Sequence, residues 1–133
     1  MKIAVSAVGK TLDSQVDRRF GRCSYFLIVD SETMSFEVMT NAAAGAMGGA
    51  GIQAAQSLAG KGVKAVITGN VGPNAFQTLS AAEIDVFVGA FGTIKEIIER
   101  FKRGELHQTE TPNVRGHFGM GQGMGRGQRR RRG

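Results

Sequence analysis

Several kinds of residue are scarce or missing in this chain of 133 residues. It has one cysteine, Cys23, which excludes an internal disulfide framework and cannot by itself complete a four-ligand structural metal site. No apolar run reaches the roughly 18 residues of a membrane-spanning helix. The first residues lead directly into charged sequence, without the pattern of a signal peptide. We therefore expect a soluble, cytoplasmic protein with no membrane segment.

Acidic residues are missing after Glu110. Residues 1–110 contain eleven Lys+Arg and eleven Asp+Glu, so the net charge of +6 comes entirely from six arginines beyond them. This last part is also rich in glycine and poor in aliphatic side chains, so its burial cannot offset the entropy cost of folding. We predict a folded domain over residues 1–110 and a disordered Gly/Arg-rich tail over residues 111–133. The tail serves either weak binding of a polyanion or solubility alone.

Hydrophobic periodicity divides the first part of the chain into eight elements. Apolar or alternating runs predict strands near residues 3–5, 25–29, 34–38, 63–67 and 84–88. Apolar residues at helical spacing predict helices over about 52–59, 73–82 and 94–101. The order βββαβαβα requires crossovers, which are right-handed, and it favours an α/β fold with a mixed five-stranded sheet ordered 3-2-1-4-5 and helices covering it. Ligands of such sheets bind beyond the carboxyl ends of the parallel strands.

The loop of residues 9–24 joins the first two strands and carries the cysteine among charged residues. Because Arg19 and Arg22 lie close to Cys23 in the sequence, we expect a lowered thiol pKa, and the thiolate is the form that binds metals. The alternative is a buried Cys23 that packs beside Tyr25 while the arginines pair with the aspartates of the loop.

Glycines cluster at three further strand ends of the predicted sheet. In residues 41–51 they precede the first helix, where exposed backbone N–H groups favour anions; simple loop flexibility is the alternative. The segment is not a phosphate-binding P-loop, because it has no Gly-Lys-Ser/Thr sequence. Residues 68–74 and 89–92 likewise begin helices, with ordinary helix capping as the alternative. The candidate binding residues in these segments are Gly48, Gly49, Gly51, Asn70 and Gly72.

Histidines are few, and neither lies in a recognisable catalytic or zinc-binding pattern. His117 and Cys23 are suitable metal ligands by residue type. A solvated side chain is the alternative for a histidine in the tail. Hydrolase chemistry has no support, because no nucleophile-elbow sequence is present.

Several separated motifs, in a fixed order over roughly residues 1–120, resemble the dinitrogenase iron-molybdenum cofactor biosynthesis family. The residues that carry the resemblance are Leu12-Asp13-Ser14, Val16-Asp17-x-Arg19-Phe20-Gly21-Arg22-Cys23-x-Tyr25-Phe26, Gly48-Gly49-Ala50-Gly51, Ile67–Phe76 and Gly89-Ala90-x-Gly92-Thr93. The resemblance implies a ribonuclease H-like fold and a nitrogenase accessory role. It also implies the carrying of iron-sulfur precursors or of the iron-molybdenum cofactor. In cofactor-carrying relatives a histidine often precedes the Phe-Gly of the first motif; this chain has Arg19 there, and a cation cannot ligate iron.

The leading hypothesis is a non-enzymatic carrier or chaperone of an iron-sulfur or iron-molybdenum-type cluster, or of its precursor. Such clusters are anionic, which suits arginines and backbone N–H groups around one thiolate. The predicted cluster-binding residues are Arg19, Arg22, Cys23, Gly48, Gly49, Gly51, Asn70 and Gly72, with Cys23 and His117 as metal ligands. We expect a monomer or homodimer that exchanges its cargo with a cluster donor or acceptor protein.

Two other functions follow from other features of the sequence. The basic tail suggests a regulatory or interaction module that binds an acidic partner or nucleic acid. The fold alone suggests a nuclease. We predict that the nuclease hypothesis fails, because the first strand carries no acid for divalent cations.

Overall fold

The computed structural model describes residues 1–112. The chain forms six strands and three helices in this part. They are β1 (Lys2–Ala7), β2 (Tyr25–Asp30), β3 (Phe36–Thr40), α1 (Ala50–Gly60), β4 (Ala65–Ile67), α2 (Pro73–Ala81), β5 (Asp85–Phe87), α3 (Ile94–Lys102) and β6 (Gln108–Thr109). No helix among the described residues is long and apolar enough to cross a membrane.

One mixed sheet contains all the strands, in the order β3-β2-β1-β4-β5-β6. β1 is antiparallel to β2 and parallel to β4, and β4 is parallel to β5. The predicted order 3-2-1-4-5 is confirmed, and it agrees with the ribonuclease H-like α/β arrangement that the family resemblance implies. The two parallel crossovers place the starts of α1 and α2 beyond the carboxyl edge of β1 and β4.

Two details differ from the sequence prediction. β3 begins at Phe36, because Met34 has a φ of 64°, a left-handed conformation that ends the turn after β2 and is incompatible with a strand. β6 was not predicted, because two paired residues leave no periodicity to detect. β6 also extends the sheet close to the predicted domain boundary at residue 110. The tail prediction stays a prediction, because residues 113–133 lie outside the described part.

Each face of the sheet has its own apolar layer. On one face Phe26 and Ile28 of β2 pack in a cluster with Leu58 of α1 and Leu79 of α2. The opposite face forms a second buried cluster with α3, in which the largest side chains are Ile3, Leu27, Ile67, Ile94, Ile97 and Ile98. Since both faces are covered, β1 and β4 are held rigidly and the loops at their ends have a fixed base.

A buried polar link joins β1 and β4 where both strands end. The Ser6 hydroxyl is hydrogen-bonded to Thr68 Oγ1 at 2.7 Å and to the Asp17 carbonyl oxygen at 2.7 Å. Ser6 and Thr68 are fully buried, so these groups satisfy each other without the full competition of water. The link therefore ties the β1–β2 loop to the carboxyl edge of the sheet.

Replacing Ser6 tests this link. Ser6→Ala removes the central hydroxyl and leaves two buried partners without it, so we expect the free energy of unfolding to fall by about 1–3 kcal/mol. Ser80→Ala is the control, since Ser80 is exposed on α2, and its effect should stay within about 0.5 kcal/mol. Urea unfolding followed by circular dichroism measures both. Equal stability of the two variants would contradict the role of Ser6.

Candidate functional site

A cavity of about 370 Å³ lies beyond the carboxyl ends of β1 and β4. Three chain segments line it: the β1–β2 loop, the first turn of α1 and the first turn of α2. Its lining residues are Arg19, Phe20, Gly21, Arg22, Gly49, Ala50, Gly51, Ile52, Asn70, Gly72, Pro73, Asn74 and Ala75. We call it the arginine–glycine cavity.

Most of the residues predicted from sequence to bind a cluster meet in this cavity. Six line it: Arg19, Arg22, Gly49, Gly51, Asn70 and Gly72. Gly48 precedes the lining residues without being among them, and Cys23 is also outside the lining. His117 lies outside the described residues. Residues 89–92 face a different part of the β1–β2 loop, where the Val16 amide donates to the Gly92 carbonyl at 2.9 Å.

Glycines permit the close approach of the segments that build the cavity. A Cβ on Gly21 would lie 2.9 Å from the Gly51 nitrogen, and a Cβ on Gly51 would lie 3.0 Å from the Cβ of Ala75. The loop, α1 and α2 therefore contact one another at distances that larger residues would prevent. Close packing therefore explains why glycine stands at positions 21 and 51. Loop flexibility and anion binding, the two explanations expected from the sequence for residues 41–51, did not include this packing.

A second close contact fixes the β1–β2 loop on the segment after β4. A Cβ on Gly69 would lie 2.8 Å from the Cα of Arg18. The Asn70 amide donates to the Arg18 carbonyl at 2.8 Å, and Arg19 and Asn70 form a parallel bridge. Arg19 is thereby placed on the wall of the cavity by its own backbone.

The first turns of α1 and α2 offer backbone N–H groups to the cavity. The N-cap residues are Gly49, with a φ of 73°, and Gly72, and neither helix has a side-chain cap or an acidic residue in its first turn. The first amides of a helix have no partner within the helix, and its N-terminus carries partial positive charge. By contrast, α3 has the predicted capping box, in which Thr93 and Glu96 bond to each other's backbone amides. Two uncapped helix N-termini therefore converge on one cavity.

Two arginines add full positive charges to this wall. The Arg19 amide donates to Asp17 Oδ1 at 2.9 Å, and Arg19 Nε lies 3.4 Å from the same oxygen. The Asp17 side chain is nearly buried, whereas the Arg19 side chain is 66% exposed, so the carboxylate holds the backbone and the Nε atom of a side chain that is otherwise largely exposed at the cavity. Arg22 Nη1 donates to the carbonyls of Ala44 and Ala46, at 2.9 and 2.6 Å.

The predicted lowering of the Cys23 pKa is wrong. Burial, and secondly the negative charge of Asp17, raise the pKa of this thiol to about 12. Cys23 is fully buried in the cluster that contains Phe26, and its thiol donates to the Phe20 carbonyl at 3.3 Å. The arginines are neighbours of Cys23 in the sequence, but their side chains extend to the exposed side of the loop. The alternative of a buried Cys23 is confirmed. Its expected packing beside Tyr25 is wrong, because Cys23 lies in the apolar cluster that contains Phe26, whereas Tyr25 packs against the cluster on the other face of the sheet.

Sequence reasoning missed Asn41, which is almost fully buried next to the cysteine. Asn41 Nδ2 donates to the carbonyl oxygens of Gly21 and Cys23, at 3.0 and 2.9 Å, and lies 3.8 Å from Cys23 Sγ. Its side chain therefore joins the β1–β2 loop to the segment that leads into α1. An asparagine directly after a strand was the available signal, since this residue type often bonds to the backbone in turns.

No group of three or more His, Cys, Asp or Glu side chains could hold a metal ion within residues 1–112. The cavity wall instead combines guanidinium groups, backbone amides and small side chains. Among general ligand classes, this donor set suits an anion better than a bare metal cation.

Comparison with known proteins identifies the family of the chain. The profile of the dinitrogenase iron-molybdenum cofactor family matches residues 1–104. The chain belongs to this family. An uncharacterised protein of Methanocaldococcus jannaschii is 32% identical to it over 114 residues, which cover 83% of this chain and 97% of that protein. Membership links the chain to the biosynthesis or binding of the iron-molybdenum cofactor.

Solved structures share both fold and sequence with the chain. The apo form of the orange protein from Desulfovibrio gigas is 43% identical, with a TM-score of 0.83, over 85% of this chain and 96% of that one. A putative NifB protein from Thermotoga is also 43% identical, with a TM-score of 0.72, over 85% and 98% of the two chains. At this identity and coverage the chain shares the fold of both neighbours.

The glycine contacts predict different tolerances at two glycines of the cavity. Gly21→Ala would force its Cβ against the Gly51 backbone, so we expect a loss of about 1–3 kcal/mol in the free energy of unfolding. Gly72→Ala is the matched control, because its φ is −83° and no atom lies within 4 Å of the added Cβ. Urea unfolding of both variants measures the difference. A Gly21→Ala protein as stable as Gly72→Ala would show that the contact is not tight.

The raised pKa of Cys23 predicts a poorly reactive thiol. A shift from 9.0 to about 12 reduces the thiolate population near neutral pH by about 1,000-fold. We expect iodoacetamide to label the native protein at least about 100-fold more slowly than the protein in urea at pH 8, because burial also limits access. The native rate should go on rising as the pH increases above 9. Rapid native labelling that levels off near pH 9 would contradict the pKa shift.

Proposed function

We propose that the protein is a non-enzymatic carrier or chaperone that holds an iron-sulfur or iron-molybdenum-type cluster, or its precursor, in the arginine–glycine cavity. The observation that carries the proposal is the convergence of two uncapped helix N-termini and two arginines on one cavity. Membership of the dinitrogenase iron-molybdenum cofactor family supplies the class of cargo.

The electrostatics of the cavity support an anionic cargo. Arg19 and Arg22 carry full charges, and the first turns of α1 and α2 add the partial charges of oriented amides. Neither helix start has a carboxylate of its own, so these amides remain available to a ligand. Arginine forms strong, directional hydrogen bonds with anions, and a cluster with exposed sulfides offers several acceptors at once.

The shortage of ligands supports reversible binding of a preformed cluster. A protein-built iron-sulfur cluster normally takes four cysteine ligands, and this chain has one cysteine. The Cys23 thiol would have to lose a proton despite its raised pKa and move out of the core before it could bond to a metal. Charge and hydrogen bonds therefore supply the main binding energy in this proposal. Cys23 and His117 stay predicted metal ligands that the experiment below addresses.

A cluster that arrives preformed needs a source and a destination. The proposal therefore includes a donor or acceptor protein for the cluster, with exchange in the cytoplasm and the carrier acting as a monomer or homodimer. The cavity lies at the surface of the sheet's carboxyl edge and is lined by side chains that are partly exposed, which allows transfer without unfolding of the core.

Anaerobic titration of the full-length apo-protein with a preformed iron-sulfur or iron-molybdenum cluster tests the proposal. Gel filtration separates bound from free cluster, and metal counting gives the dissociation constant. Arg19→Gln and Arg22→Gln should each weaken retention about tenfold, since each removes a charge-assisted hydrogen bond. Arg18→Gln is the matched control: it removes one positive charge from the same loop, but Arg18 does not line the cavity, and its effect should stay below about threefold.

Two further variants separate electrostatic binding from metal ligation. If Cys23→Ser and His117→Ala retain the cluster like the wild type, neither residue is a ligand and the cavity acts alone. If Cys23→Ser alone abolishes retention while its circular dichroism is unchanged, the cluster is bonded to the thiolate. Equal loss of cluster retention in the Arg18, Arg19 and Arg22 variants would show that net charge, and not the cavity, determines binding. No retention by the wild type would refute the carrier and favour the interaction module with a basic tail.

A further inference from the structure

Arg22 belongs to two parts of the structure at once. It lines the arginine–glycine cavity, and its Nη1 atom donates to the carbonyl oxygens of Ala44 and Ala46. Those carbonyls lie in residues 41–49, which connect β3 to α1. One guanidinium group is thus shared between the proposed binding site and a neighbouring loop.

The 41–49 segment depends on the β1–β2 loop for its shape. Its first residue, Asn41, is bonded to that loop, and the amides of Ala44 and Ala46 close two successive turns on the carbonyls of Asn41 and Ala43, at 3.1 and 2.9 Å. Arg22 then holds the carbonyl side of the same two residues. Beyond these two residues the segment leads to Gly49, which is the N-cap of α1 and lines the cavity.

The guanidinium retains donors for a ligand. It has five N–H groups in a fixed plane, and Nη1 alone serves the two carbonyls. Within residues 1–112, Nε and Nη2 of Arg22 have no recorded hydrogen bond or ion pair, and the residue is exposed. An anion in the cavity can therefore bind the unused edge of Arg22 while Nη1 keeps its bonds to the loop. Binding fixes the guanidinium, and a fixed guanidinium holds the loop more firmly.

We propose that Arg22 couples occupancy of the cavity to the order of the 41–49 segment, so that the loaded protein presents a more rigid loop than the empty one. This inference rests on the proposed function, because it assumes an anionic ligand in the cavity. The segment carries Met47, whose side chain is completely exposed beside Gly48 and Gly49. The surface around Met47 is therefore where a donor or acceptor protein can distinguish the loaded from the empty carrier. By linkage, the factor by which the anion raises the affinity for a partner of the ordered segment equals the factor by which that partner raises the affinity for the anion.

Amide hydrogen exchange in the full-length protein, measured by NMR at Ala44 and Ala46, tests the coupling. The probe is inorganic sulfate, titrated at constant ionic strength against sodium chloride. Both amides are hydrogen-bonded, so their exchange reports opening of the segment. We expect saturating sulfate to slow their exchange about fivefold or more in the wild type. Arg22→Lys keeps the charge without the forked donors, so its exchange should be faster without sulfate and unchanged by sulfate.

Arg19→Lys is the matched control on the other side of the cavity. Arg19 makes no contact with the 41–49 segment among the recorded hydrogen bonds of residues 1–112, so exchange at Ala44 and Ala46 without sulfate should equal that of the wild type. Sulfate that binds without slowing exchange, or that accelerates it, would overturn the coupling and leave the carrier proposal standing. Failure of sulfate to shift the Gly49 and Gly51 amides would overturn this inference and count against the anion site itself. Exchange in apo Arg22→Lys equal to that of the wild type would show that Arg22 does not brace the loop.

Discussion

The close approach of three backbone segments is the constraint on which the rest of the site depends. Gly21 lies against Gly51, and Gly69 lies against Arg18, at distances where a Cβ would overlap the neighbouring backbone. These contacts hold the β1–β2 loop on the starts of α1 and α2. The cavity, the position of Arg19 and the burial of Cys23 all follow from this arrangement. The glycines are therefore structural first, and by fixing these segments they also fix the positions of the helix-start amides around the cavity.

Helix capping differs between α3 and the two helices that begin at the cavity. α3 satisfies its own first amides through Thr93 and Glu96, and its apolar face covers one side of the sheet. α1 and α2 begin with glycine N-caps and have no such partners. With glycine as the N-cap residue, such a start is less favourable to the helix by roughly a few tenths of a kcal/mol than one with a serine, threonine or aspartate cap. Side-chain caps at these two starts would occupy the backbone N–H donors that an anion in the cavity would require.

The sequence predicts the architecture well and the site in part. Periodicity and the capping pattern identify the strands, α3 and the sheet order, because they follow from local hydrophobic spacing and crossover geometry. Six residues of the cavity were found by reasoning about strand ends. The environment of Cys23 could not be predicted in this way, because residues that are neighbours in the sequence need not be neighbours in space. The Cys23 thiol lies in the core, whereas the arginine side chains are exposed. The roles of Asn41 and of the glycine contacts depend on tertiary distances, which no local pattern encodes.

If the cavity holds a cluster as proposed, Arg19 changes the kind of cargo that it would select. The family resemblance leads one to expect a histidine, which can bond to a metal, and this chain has a guanidinium anchored by the nearly buried Asp17. A guanidinium recognises charge and acceptor geometry but forms no bond to the metal. Since Cys23 is buried in the core, the proposed carrier would discriminate by the size, charge and acceptors of the whole cluster. In that proposal competing charge would govern release, and a partner would only have to offer a more favourable set of ligands to the exposed metal atoms of the cluster.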